Sequence, residues 1–167
     1  ISEDDKSATL GRITSSLSIA ESVADADLIV EAIPEVFELK KKVFAEVDQH
    51  APEGAILASN TSSISITKLA GTTSRPDQFI GMHFFNPVPV MKLVEVINGL
   101  DTDEKVTQTI IETSAKLGKT AVPANDSPGF VSNRVLMPMI NEAIFSVYEG
   151  VATPEHVDEV MKLGMAH

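Results

Sequence analysis

Short aliphatic runs alternate with helix-patterned stretches along most of this chain, and that alternation limits the possible fold more than any other feature. "ADLIVEAI" (26–33) is rich in branched residues and stops at Pro34, which has no N–H to give a ladder. From 35 to about 50, Val36, Leu39, Val43, Phe44 and Val47 recur at helical spacing among lysines and acids, the pattern of a surface helix. "GAILAS" (54–59), "QFIGMHFF" (78–85), "MKLVEVI" (91–97) and "KTAVPAN" (119–125) read as further strands. The polar turn "SNTSS" (59–63) and a short helix-like stretch, "ISITKLA", follow "GAILAS", while Pro87 and Pro89 bar regular pairing between "QFIGMHFF" and "MKLVEVI". "DTDEKV" opens a helix to about Leu117, with Gly118 as its C-terminal cap. Strands alternating with helices predict an α/β fold with a parallel sheet covered on both faces, and ligands beyond the carboxyl ends of its strands.

The pattern changes after "NDSPG". Pro128 suits the first turn of a helix that Asp126 or Ser127 caps, and apolar residues from Phe130 to Val147 keep a helical period up to Tyr148. Thr153 and Pro154 start another helix, ending near Gly164. A domain boundary is therefore expected at about residue 126, with 1–126 forming the α/β part and 127–167 the beginning of an all-helical one.

Charge and composition narrow the partners. The net charge of −11 repels phosphate backbones, and the one lysine cluster, Lys40 to Lys42, lies among acids, so no nucleic-acid partner is expected. No apolar run is long enough to span a bilayer, so no membrane partner is expected either. The absence of cysteine excludes a disulfide framework, a thiolate zinc site and a cysteine nucleophile; no metal is expected.

Four residues have the chemistry of a catalytic site: Ser62, His83, Glu95 and Asn133. His83 and Glu95 are chargeable groups inside apolar strand runs. A lone histidine there is commonly a satisfied core residue, but a glutamate at the centre of "KLVEVI" is costly to bury unless paired, and adjacent strands can bring the two together. A carboxylate on one ring nitrogen fixes the imidazole tautomer and leaves the other to exchange a proton with a ligand. The same pair can be purely structural. "SNTSS" offers hydroxyls, an amide and backbone N–H groups, yet also reads as a simple capping turn. Asn133, beside apolar neighbours on the long helix, serves equally as helix–helix glue.

In order and spacing, "DADLIVEAIPE", "ILASNTSSISIT", "GMHFFNPVPVMKLVEVI", "GKTAVPANDSPGFVSNRVLMPMINEA" and "MKLGMAH" resemble the L-3-hydroxyacyl-CoA dehydrogenase family over nearly the whole chain from about residue 24. The resemblance implies an incomplete Rossmann-like NAD-binding domain followed by the start of a helical substrate and dimerisation domain. It implies His83 as the general base for the substrate 3-hydroxyl, Glu95 as the carboxylate that orients it, Ser62 as a hydrogen-bond partner of the reacting oxygen, and Asn133 as a positioning residue. Glu35, Lys40, Asn60, Ser62 and Asn86 match positions that line the NAD site. The implied reaction is NAD-dependent oxidation of a (S)-3-hydroxyacyl-CoA to the 3-oxoacyl-CoA, or its reverse, on short-chain substrates such as 3-hydroxybutyryl-CoA. A dehydrogenase of a free 3-hydroxy (sugar) acid and a non-catalytic crystallin-like relative are the alternatives.

One departure stands out. The family opens with a strand, a G-x-G-x-x-G turn and a helix, whereas glycine is absent here before Gly11. The chain is therefore expected to be an internal piece of a longer protein, homodimeric when intact. Its expected location is the cytoplasm of a bacterium, or the mitochondrial matrix or peroxisome of a eukaryote.

Overall fold

The computed structural model describes residues 2–167, which divide into two compact units, one ending at Asp126 and the other spanning Ser127–His167. In the first unit, α1 (Glu3–Leu10) and α2 (Ile19–Val23) precede β1 (Leu28–Glu31), α3 (Phe37–His50), β2 (Ile56–Ser59) and α4 (Ile66–Ala70). Then come β3 (Phe79–Phe84), β4 (Leu93–Asn98), α5 (Glu104–Lys116) and β5 (Thr120–Asn125). The strands form one sheet in chain order.

The sheet is mixed, not wholly parallel as the alternation predicted. β1, β2 and β3 pair in parallel, β3 pairs with β4 antiparallel, and β5 is parallel to β4. The reason is the short connection 85–92 between β3 and β4. A parallel crossover needs a dozen residues or more, so the chain can only fold straight back. β5 lies at one edge of the sheet, which accommodates Pro123.

Strand alternation gives the sheet two working faces. One carries Ala58, Ile80, Met82, Val94 and Val96, packed with Val106 and Ile110 of α5 into a continuous buried core. On the opposite face the Phe79 ring meets Phe44 of α3 edge-on, with centroids 4.6 Å apart. Gly81 lets α4 settle on that face: a Cβ there would stand 2.8 Å from Ile97 Cβ and 2.9 Å from Ile66 Cδ1. His83 and Glu95 lie two residues along from Gly81 and Ile97, so they belong to this second face.

α5 ends as its sequence predicts. Gly118 takes φ +72°, its N–H reaches Ala115 O at 3.0 Å, and the Lys119 N–H reaches Ser114 O at 3.0 Å, the paired bonds of a glycine-capped terminus.

In the second unit, α6 (Ser132–Tyr148) and α7 (Pro154–Met165) are joined by a short turn, and Thr153 caps α7 through the His156 N–H. α6 starts later than the proline suggested. Gly129 and Phe130 both have positive φ, so the helix cannot begin at Pro128. Asp126 does not cap α6 either: its Oδ2 accepts from Ser65 Oγ at 2.6 Å and from the Thr67 N–H at 2.8 Å, at the start of α4. Among the described residues no helix is long and apolar enough to cross a membrane.

Candidate active site

The antiparallel register sets His83 directly opposite Glu95. Nδ1 of the ring donates to Oε2 of the carboxylate at 2.8 Å, and the two residues are only 5 % and 3 % exposed. An ionised carboxylate can only accept, so this contact holds a proton on Nδ1 and fixes the ring's orientation. The Phe85 ring lies 4.6 Å from the imidazole, tilted by 44°, and restricts its rotation.

A second polar network occupies the carboxyl ends of β1 and β2. Glu31, buried at the end of β1, accepts from the Ile33 N–H (2.6 Å) and Lys40 Nζ (2.7 Å) on one oxygen, and from Ser59 Oγ (2.6 Å) on the other. Lys40 also donates to Ile33 O at 3.0 Å and lies 3.3 Å from Glu35 Oε2. It is 1 % exposed, so it stands beneath Glu35 and not on the solvent face that its helical pattern suggested.

Glu35 gathers the turn after β2. Its Oε1 accepts from the Thr61 hydroxyl, from the Ser62 N–H (2.9 Å), and from the N–H and hydroxyl of Ser63 (both 3.0 Å). Burial alone would raise its carboxyl, but the hydrogen bonds from Thr61, Ser63, Ser62 and Lys40 hold it down to about 2. Glu35 is therefore anionic at any physiological pH.

Asn60 connects the two networks. Its N–H extends the β1–β2 ladder to Glu31 O (2.8 Å), and its Oδ1 accepts from the Phe84 N–H (2.9 Å), next to His83. The first unit thus brings Glu35, Lys40, Asn60, Ser62, His83 and Glu95 to one end of the sheet. Asn86 is exposed in the turn after β3, and Lys119 Nζ clamps that turn through Val88 O (2.7 Å) and Met91 O (2.8 Å). Asn133 lies in the first turn of α6, in the second unit.

Sequence reasoning missed Glu31 and Lys119 as members of this arrangement, and held Ser59 and Thr61 only as unassigned hydroxyls of the turn "SNTSS". For Glu31 a signal existed: it interrupts "LIVEAI" as Glu95 interrupts "KLVEVI".

Residues 1–127 match the family model of the 3-hydroxyacyl-CoA dehydrogenase NAD-binding domain, and residues 129–167 match that of the 3-hydroxyacyl-CoA dehydrogenase C-terminal domain. The 3-hydroxybutyryl-CoA dehydrogenase of Clostridioides difficile is 52 % identical over 92 % of this chain and 54 % of its own length. The human mitochondrial hydroxyacyl-coenzyme A dehydrogenase is 46 % identical over 95 % of this chain and 51 % of its own. Among solved structures, (S)-3-hydroxybutyryl-CoA dehydrogenase from Ralstonia eutropha superposes with a TM-score of 0.96 at 51 % identity, covering all of this chain and 59 % of that one. The chain spans a little over half the length of the relatives it matches.

Proposed function

Because the chain belongs to the 3-hydroxyacyl-CoA dehydrogenase family, we propose that the protein interconverts (S)-3-hydroxyacyl-CoA and 3-oxoacyl-CoA with NAD, on short acyl chains such as 3-hydroxybutyryl. The observation that carries this reading is the His83–Glu95 contact of 2.8 Å at the end of the sheet.

The residues present suit the cofactor. Glu35, ionised and with its side chain 38 % exposed, is an acceptor for ribose-type hydroxyls, and the amides of Asn60 and Asn86 offer donors and acceptors at the same strand ends. Lys40 contributes through Glu35. NAD, when bound, supplies the hydride acceptor.

The protein supplies placement and the proton. His83 takes the proton of the substrate 3-hydroxyl on Nε2, and in the reverse direction returns it to the keto oxygen. Glu95 stabilises the charge that develops on the ring. Ser62 hydrogen-bonds the reacting oxygen, and Asn133 positions substrate from the first turn of α6. The intact protein acts as a homodimer.

The test is NADH oxidation driven by acetoacetyl-CoA in the full-length protein, run beside His83→Ala after both are shown to be folded. Loss of His83 should cost about 10²- to 10⁴-fold in kcat, the usual worth of a general acid–base group. An inactive parent, or a variant nearly as fast, overturns the assignment. Turnover of free 3-hydroxy acids in preference to the thioester would redirect the substrate class.

A further inference from the structure

We propose that Glu31 is a positioning residue for the cofactor site: it fixes Lys40, which in turn fixes Glu35 in the orientation that receives NAD. The inference rests on the reading that Glu35 belongs to that site.

The geometry is a chain of three charges running from the sheet to the surface. Both Glu31 oxygens are engaged by groups of the sheet and its end, Oε1 by the Ile33 N–H and Oε2 by Ser59 Oγ, each at 2.6 Å. Glu31 is consequently held as firmly as the strands themselves. Lys40 takes its position from Glu31 at 2.7 Å and from Ile33 O at 3.0 Å, and only then reaches Glu35 Oε2 at 3.3 Å.

Glu31 and Lys40 are almost fully buried, with side chains 2 % and 1 % exposed, whereas the Glu35 side chain is 38 % exposed. The turn 61–63 fixes one Glu35 oxygen, and Lys40 fixes the other. Two carboxylates share one ammonium, so the cluster keeps one net negative charge, and its exposed member is Glu35. Without the Glu31 charge, Lys40 has a single carboxylate left and no strong anchor in the sheet. Glu35 then loses the restraint on the oxygen nearest Lys40.

The experiment measures NADH affinity by fluorescence in the full-length protein, alongside kcat with acetoacetyl-CoA. Glu31→Gln keeps the shape and removes the charge. It should raise the NADH Kd about tenfold, as expected for one charge-assisted bond, with the loss falling on Kd more than on kcat. Glu31→Gln combined with Glu35→Gln should bind no more weakly than Glu35→Gln alone, because the first acts through the second.

If Glu31→Gln does not fold, Glu31→Gln with Lys40→Met leaves no unpaired charge in the core, and it too must weaken NADH binding. A Kd within about twofold of wild type in either folded variant overturns the inference, as do effects of Glu31→Gln and Glu35→Gln that multiply. Wild-type protein that fails to bind NADH would instead overturn the reading of the site itself.

Discussion

Glu95→Gln tests the chemistry at its most sheltered point. The change conserves shape, leaves the β3–β4 ladder untouched and removes one negative charge 2.8 Å from the ring nitrogen. With charge centres about 4 Å apart and an effective dielectric near 20, a carboxylate stabilises a neighbouring imidazolium by about 4 kcal/mol. Under the proposed mechanism the imidazolium exists only after His83 has taken the proton, so the stabilisation belongs to the transition state and not to substrate binding. At about 1.4 kcal/mol per factor of ten, kcat for 3-hydroxybutyryl-CoA oxidation should fall by about 10²- to 10³-fold. The NADH Kd should hold, because Glu95 takes no part in the Glu31–Lys40–Glu35 network. Steady-state kinetics and fluorescence titration, on variants matched by circular dichroism, give both numbers. A fall in kcat below about tenfold, or an equal loss of NADH affinity, would refute the reasoning.

Three further outcomes follow from the same geometry. Thr61→Val removes a hydroxyl that helps hold the Glu35 carboxyl at about 2 instead of its ordinary 4.5. It should cost about 1 kcal/mol in urea denaturation at neutral pH. Because the folded pKa is the lower one, that deficit should be full above about pH 4.5 and shrink as the pH falls towards 2. Gly81→Ala drives a methyl into Ile97 and Ile66 and should destabilise by about 1–3 kcal/mol, partly relieved by Ile66→Val, as read from denaturation midpoints. Asp126→Ala removes one acceptor from the start of α4, leaving the Ser65 cap on the Lys68 N–H, and should cost about 1–2 kcal/mol. Burial would raise the Asp126 carboxyl, but Ser65 and Thr67 hold it below its ordinary value, so this difference too should fade on acidification.

What the sequence disclosed depended on how local each signal was. His83 and Glu95 were legible because a charge inside an aliphatic run announces a partner, and each strand could be read from its own residues. Strand direction was not written in those residues; only the length of the 85–92 connection carried it. Lys40 was misplaced because it sits in a run of lysines on an amphipathic helix, and periodicity cannot tell which one turns inward to meet a carboxylate at the end of β1. Glu31 gave the same kind of signal as Glu95, but no second chargeable group stood in a neighbouring run to pair with it. The contact that Asp126 makes with the start of α4 joins residues far apart in the chain, while its neighbours Ser127 and Pro128 read in the sequence as a local helix start that the fold does not form.

The hairpin of β3 and β4 also bears on the order in which the molecule assembles. His83 and Glu95 are separated by 12 residues, whereas the bond from Ser65 to Asp126 spans 61. Closing the longer loop costs about 1.4 kcal/mol more chain entropy, so the pair is cheap to bring together early and the Asp126 contact is late. Pulse-labelled hydrogen exchange during refolding should accordingly protect the His83 and Glu95 amides before that of Thr67. The chain would then acquire its buried His83–Glu95 pair while the rest of the sheet is still being recruited around it.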